Sequence, residues 1–341
     1  MTSKNSVVMR VGIDVGATEL VVVIRKNGTA LKAQSFANTA ADHGRLIRKL
    51  TKHSDLIVCL EATGLYHLDL AVALHDAGQS VMVLNPKVSH NFAKVLLKNS
   101  KTDAVDADTL AQYAERMPYQ AWTRPDNAVL SLRLYARRIN ALTHQKAMAK
   151  NQRHALSVTA GTPEAVQEDV ALAIAQLEAR IDTLSREART FIDAQPKLHQ
   201  PLIWLMTIKG VAQASAIALL GELLLLPEGL THKQWVKYAG LDPKHFRSGT
   251  SVEKRARISK AGNRYIRQAL YMPALCAKAH DPYVKGFFEH LVANGKTKMQ
   301  AVCAVMRKML HAIHGMLTHN QPFDNTRFYA TPAGAGAGCR G

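Results

Sequence analysis

Cysteine is scarce in this chain. Only Cys59, Cys276, Cys303 and Cys339 occur in 341 residues, and no two form a C-x-x-C pair. Neither a zinc site nor a disulfide framework is indicated. Long apolar stretches are also missing. The longest, Ala216 to Leu226, contains Glu222 and falls short of the roughly 20 residues that span a bilayer. Met1 to Arg10 holds no hydrophobic stretch of signal-peptide type. The third shortage is acid: 26 Asp and Glu stand against 44 Lys and Arg, a net charge of +18. So large a surplus points to a polyanionic partner. A hydrophobic content of 47% excludes a disordered basic tail. The length suits two or three domains. The expectation is a soluble, intracellular protein facing nucleic acid, with no membrane partner.

The basic surplus is uneven. Residues 1–110 hold 13 basic and 10 acidic residues, so most of the excess lies beyond them. Lys233 to Arg267 packs ten basic residues against Asp242 and Glu253, interleaved with Gly, Ser and Thr. Such density exceeds what solubility requires and predicts contacts to a phosphate backbone. Arg247, Lys254, Arg255, Arg257, Lys260, Arg264 and Arg267 are the candidates.

Three regions follow from the pattern. Residues 1–125 alternate strands and helices: strands at Val7 to Val15, Leu20 to Ile24, Leu31 to Phe36, Leu56 to Leu60 and Ser80 to Leu84, with helices at His43 to Lys52, Leu65 to Ala77 and Asp103 to Arg116. Lys26-Asn27-Gly28 reads as a hairpin turn. This is the element order of a ribonuclease-H-like α/β fold. Residues 126–195 read as helical. Val170, Ile174, Leu177, Ile181, Leu184, Ala188 and Phe191 make a heptad stripe, predicting a helical hairpin or an intersubunit coiled coil. Gly161-Thr162-Pro163 with Glu164 marks the helix start. Residues 196–330 read as mainly helical and carry the basic segment. Ile208-Lys209-Gly210-Val211 is similar to a helix-hairpin-helix turn that offers backbone amides to a phosphate. Residues 331–341 form a Gly/Ala-rich tail expected to be disordered.

Asp14 ends one apolar strand and Glu61 another, while Asp103 and Asp106 stand three apart at a helix start and so share a helix face. Asp108 points elsewhere on that helix. In a ribonuclease-H-like sheet the first and fourth strands are neighbours, which brings Asp14 beside Glu61. Four carboxylates in one cleft repel each other unless a hard cation neutralises them, which predicts Mg²⁺ or Mn²⁺. Asp14-Val15-Gly16-Ala17-Thr18 also fits the first phosphate loop of actin- and sugar-kinase-type ATPases, but no second such loop follows.

Gly12-Ile13-Asp14, Glu61-Ala62-Thr63-Gly64 and Lys101-Thr102-Asp103-Ala104-Val105-Asp106-Ala107 together resemble the D-E-D-D transposases of bacterial and archaeal insertion sequences. These are relatives of the pilin-inversion recombinase, also called bridge-RNA-guided serine recombinases. Tyr238-Ala239-Gly240-Leu241, Arg247-Ser248-Gly249-Thr250-Ser251, Ser259-Lys260-Ala261-Gly262-Asn263 and Arg267 to Ala274 extend the resemblance over about residues 8–328. It implies a RuvC-like domain whose Asp14, Glu61, Asp103 and Asp106 hold Mg²⁺, and a C-terminal transposase domain with Ser248 as nucleophile. The implied chemistry is strand exchange through a 5′-phosphoserine. The implied partners are donor and target DNA, a noncoding bridge RNA that pairs with both, and further copies of the chain in a tetramer, where the serine of one subunit meets the carboxylates of another.

Ser248 can also be weighed locally. A serine hydroxyl needs activation and charge compensation to attack, and Arg247, Lys254, Arg255 and Arg257 surround it in sequence on what reads as a loop. A serine beside glycine is also an ordinary turn residue, and Ser251 and Ser259 are its rivals. Two other functions remain open on the residues alone. A RuvC-like hydrolytic nuclease, such as a junction resolvase, needs the acids but no serine. A nucleic-acid-binding scaffold needs neither.

Overall fold

Short β-branched runs bounded by turn residues build the first part of the chain. In a computed structural model, residues 8–53, 55–62, 64–97, 102–248 and 252–329 are described, 245–248 and 252–256 by backbone alone. The chain divides into two units, Met1–Arg124 and Pro125–Gly341.

In the first unit, β1 (Met9–Val15) and β2 (Glu19–Lys26) form an antiparallel pair, Met9 opposite Lys26 and Val15 opposite Leu20. Asn27 and Gly28 both take positive φ, 48° and 85°, the backbone of a two-residue hairpin turn. The chain then adds β3 (Thr29–Ala30) and β4 (Gln34–Ala37), both on β2. The expected third strand, Leu31 to Phe36, is thus realised as β4, which starts later; Leu31 lies between β3 and β4 and is exposed. α1 (Ala40–Leu50) is capped by the Thr39 hydroxyl, which accepts from the Asp42 amide. β5 (Leu56–Glu61) joins β1 in parallel, Ile13 level with Leu60. After α2 (Leu68–Asp76), β6 (Ser80–Leu84) lies parallel to β5. α3 (Pro86–Val95) and α4 (Asp103–Arg116) complete the unit. The sheet order is β3-β2-β1-β5-β6, with β4 also on β2. The first and fourth expected strands are therefore neighbours.

A side chain on Gly12 would run into the carbonyl of Ala107 and the amide of Ala111. The missing Cβ lets α4 lie directly on β1. Arg25 of β2 fixes the same helix by ion pairs to Asp108 (2.7 Å) and Glu115 (3.0 Å). Asp108 is spent on that contact, and the Gln112 amide donates to its other oxygen at 2.7 Å. α3 is an element that the sequence pattern does not announce, although Asn85 caps it and Pro86 opens it, both helix-start signals.

The second unit is mostly helical. α5 (Asn127–Ser157), capped by Asp126, and α6 (Glu164–Asp193) form a hairpin. Lys150 Nζ reaches Glu178 at 2.9 Å across it. Val170, Ile174 and Ala188 of the heptad stripe are buried, and Ile181, Leu184 and Phe191 pack on the core. That core is continuous: Leu132 of α5 and Ile192 of α6 share it with residues far beyond 195. The following helices are α7 (Pro196–Met206), α8 (Gln213–Leu223) and α9 (His232–Ala239). Gly210, at φ 91°, leaves no room for a Cβ, which would lie 2.8 Å from the Pro273 carbonyl and from Cys276 Cβ. The glycine in the expected helix-hairpin-helix turn thus serves a close approach within the protein.

A strand pair follows, β7 (Pro243–Ser248) and β8 (Val252–Ile258), with Ser248 opposite Val252. This corrects the expectation of a loop at Ser248. Lys, His, Arg and Glu break any two-residue hydrophobic alternation here, so the hairpin has no periodic signal to read. Among the described residues the last elements are α10 (Arg264–His280), α11 (Pro282–Ala293), α12 (Lys298–His319) and a 3₁₀ turn at Asn325–Arg327. Among the described residues no helix is long and apolar enough to cross a membrane. The tail 331–341, Lys101, Thr63 and 249–251 lie outside the described residues.

Candidate acidic site and basic surface

Asp14 occupies the penultimate position of β1, and Glu61 closes the parallel neighbour β5. The register that sets Ile13 beside Leu60 carries Asp14 level with Glu61. Asp103 and Asp106 fill the first turn of α4, which Thr102 caps by accepting from the Val105 amide at 3.3 Å. Because α4 rests on Gly12, that turn lies next to Asp14.

The electrostatics register this convergence. The Asp14 carboxyl is pushed up from 3.8 to about 6, first by burial and then by Asp103, Asp106 and Glu61. Partial burial and like charges both disfavour the ionised form. Among the described residues no three His, Cys, Asp or Glu side chains form a ready-made ion cage. Asp103, Asp106 and Glu61 all act on Asp14 through space. All their donors are carboxylate oxygens, the set that a hard divalent cation takes, and the repulsion that raises Asp14 is what a dication would neutralise. In chemistry, the residues fit such an ion.

Two supports carry no signal in the sequence. Asn38 Nδ2 donates to the Gly16 carbonyl (2.9 Å) and the Tyr66 carbonyl (3.2 Å), tying together the loops that follow Asp14 and Glu61. His43, whose pKa burial lowers, donates from Nε2 to Asn38 Oδ1 at 2.7 Å. The second support is the Ser89 hydroxyl, which donates to Glu61 Oε2. Neither lies in a sequence motif; both depend on which loops meet.

In the second unit the basic candidates separate. Arg257, Lys260 and Arg264 are exposed. Arg267 differs from expectation: its Nη1 donates to the carbonyls of Ala239 (2.8 Å), Gly262 (3.3 Å) and Asn263 (3.4 Å). It clamps the end of α9 to the start of α10, so its first role is internal. Ser259, a rival nucleophile, donates from Oγ to Asp242 at 2.5 Å and accepts from the Ala261 amide; it is a turn residue. Ser251 lies outside the described residues, as do the side chains of Arg247, Ser248, Lys254 and Arg255.

Beneath this surface Glu222, only 3% exposed, accepts from Arg137 Nε (2.7 Å) and Nη2 (3.2 Å) and from the Asn263 side-chain amide (2.6 Å), with Arg133 at 3.7 Å. Asn263 in turn caps α10 through the amides of Tyr265 and Ile266. A buried carboxylate thus sets the start of the helix that presents Arg264.

Two family descriptions match the chain: Transposase, the DEDD domain of IS110 type, over residues 11–158, and Transposase IS116/IS110/IS902 family over residues 204–289. The first spans all four acids and the second spans the basic hairpin. The chain carries two transposase domains of the IS110 family. This transposase is 29% identical over 276 residues to the Pilin gene-inverting protein of Moraxella lacunata, covering 80% of this chain and 83% of that one. It is 24% identical over 236 residues to the Insertion element IS110 uncharacterized 43.6 kDa protein of Streptomyces coelicolor, covering 69% and 54%. Among solved structures, T. thermophilus RuvC in complex with Holliday junction substrate matches at 16% identity and a TM-score of 0.26, over 34% of this chain and 99% of that one. The first domain is thus of the DEDD transposase type, which is not that of the serine recombinases proper. The chain is accordingly a DNA-processing enzyme of the transposase and recombinase class.

Proposed function

We propose that this transposase moves an insertion sequence by exchanging DNA strands, with Asp14, Glu61, Asp103 and Asp106 as its metal-holding acids and Ser248 as its nucleophile. The observation that supports the acidic half most strongly is the Asp14 carboxyl, raised to about 6 by burial and by the other three. The strand order, with β1 between β2 and β5, suits a RuvC-like reading of that unit. Mg²⁺ or Mn²⁺, when bound, neutralises the scissile phosphate and polarises its oxygens. The acids hold that charge in place, and Gly12 and Arg25 keep their elements together.

Ser248 closes β7 next to Arg247, opposite Val252, at the end of a strand in the basic pair. In the step proposed, Ser248 Oγ bonds to phosphorus as the bond to the 3′ oxygen breaks. The serine loses its proton, the departing 3′ oxygen gains one, and a 5′-phosphoserine is left. A 3′-hydroxyl from the other duplex then displaces the serine, reforming a diester and returning the proton. Arg257, Lys260 and Arg264 hold phosphates along the strands. Specificity belongs to a noncoding bridge RNA that pairs with donor and target DNA, in a tetramer of this chain.

The test incubates the protein with element-end DNA, its cognate RNA and Mg²⁺, then denatures. Strand exchange by this route gives a protein–DNA adduct that survives denaturant. Free cleaved ends without an adduct make the protein a hydrolytic nuclease, and neither product makes it a scaffold.

A further inference from the structure

α3 exposes Lys87, Val88, His90, Lys94 and Val95, and the residue it buries is a hydroxyl: Ser89, 7% exposed. A buried hydroxyl costs stability unless it finds a partner. Ser89 Oγ has two acceptors in reach, Glu61 Oε2 and the Pro86 carbonyl at 2.9 Å. It has one proton to give, and a carboxylate makes the stronger bond. The backbone of Glu61 is fixed in β5, but its carboxylate stands at the end of three side-chain torsions. The hydroxyl is one partner that holds it, at Oε2.

We propose that Ser89 is a positioning residue for Glu61, holding one carboxylate oxygen so that the acid cluster accepts a divalent cation with less reordering of this side chain. The inference rests on the reading of the four acids as a cation site. It adds α3 to that site through a residue outside the motif that carries Glu61. The competing role is local: a serine bonding back to the carbonyl three residues earlier merely tidies a helix start, and such a residue leaves cation affinity unchanged.

The experiment is Mn²⁺ titration of the full chain, followed by calorimetry and by the electron paramagnetic resonance of free Mn²⁺. Partners that orient a ligand are typically worth tenfold or more in affinity. Ser89→Ala is expected to bind Mn²⁺ about tenfold more weakly than wild type, with an unchanged circular dichroism spectrum. Ser89→Thr keeps the hydroxyl, and Ser89→Val matches the volume of threonine without it. That pair isolates the hydroxyl even where alanine loosens α3: threonine is expected to bind about tenfold more tightly than valine. Equal affinities for threonine and valine, or for alanine and wild type, overturn the proposal. Equal Mn²⁺ binding by wild type and Glu61→Gln instead overturns the acid-site reading beneath it.

Discussion

Replacing Asp14 with asparagine removes one charge from the acid cluster and keeps the shape of the side chain. With its carboxyl raised from 3.8 to about 6, the folded protein holds this proton more tightly than the unfolded chain. Below about pH 4 both states are protonated and the group is neutral in stability. Between about pH 4 and pH 6 the unfolded chain ionises while the folded one resists, so stability falls as pH rises, and above about pH 6 the loss is complete. The full rise corresponds to at most about 3 kcal/mol. Asp14 is only half-buried, and solvent screening reduces that to about 1–2 kcal/mol. Asp14→Asn escapes the loss, so without divalent ions it should match wild type near pH 4 and melt roughly 3–8 °C higher at pH 7. Thermal melts of both proteins from pH 4 to 8, in EDTA and in Mn²⁺, measure this. Mn²⁺ should stabilise wild type and leave the variant nearly unmoved. Melting curves that stay parallel across this range in EDTA would refute the electrostatic argument.

Gly12→Ala should displace α4 from β1, because the new methyl meets the Ala107 carbonyl. Strand exchange should disappear, and the first unit should lose more than about 3 kcal/mol in urea unfolding. Glu222→Leu leaves Arg133 and Arg137 without their buried carboxylate and should cost about 3–5 kcal/mol, read from the denaturation midpoint. A triple Arg257, Lys260 and Arg264 alanine variant should weaken DNA binding regardless of sequence. It should also lower the slope of log affinity against log salt by about one for each phosphate no longer neutralised; fluorescence anisotropy at several salt concentrations reads it.

The first unit was legible because its signals are local. Valine-rich runs, an Asn27-Gly28 turn and a Thr102 cap each point to one structure, and two acids at the ends of apolar strands follow from the same pattern. The start of β4 was not legible, since Leu31 reads as a strand residue but is exposed. α3 had start signals in Asn85 and Pro86 but buries little besides Ser89, leaving no hydrophobic stripe to announce it. The β7–β8 hairpin is dense in charge, so its strands lack an alternating face. The roles of Arg267, Gly210 and Asn38 depend on contacts with residues about 20 to 65 positions away, and no local window holds that information. The heptad stripe did predict a helical hairpin, although its core runs on into the following helices.

The most direct measurement is to map the covalent bond. Denatured protein–DNA adduct, digested with protease and nuclease and sequenced by mass spectrometry, should carry its phosphoester on the peptide containing Ser248. Ser248→Ala should bind nucleic acid normally yet yield neither adduct nor recombinant, because losing a covalent nucleophile costs many orders of magnitude in rate, far beyond one hydrogen bond of about 1 kcal/mol. A phosphoester on Ser251, Ser259 or a tyrosine, or full recombination by Ser248→Ala, would contradict the account.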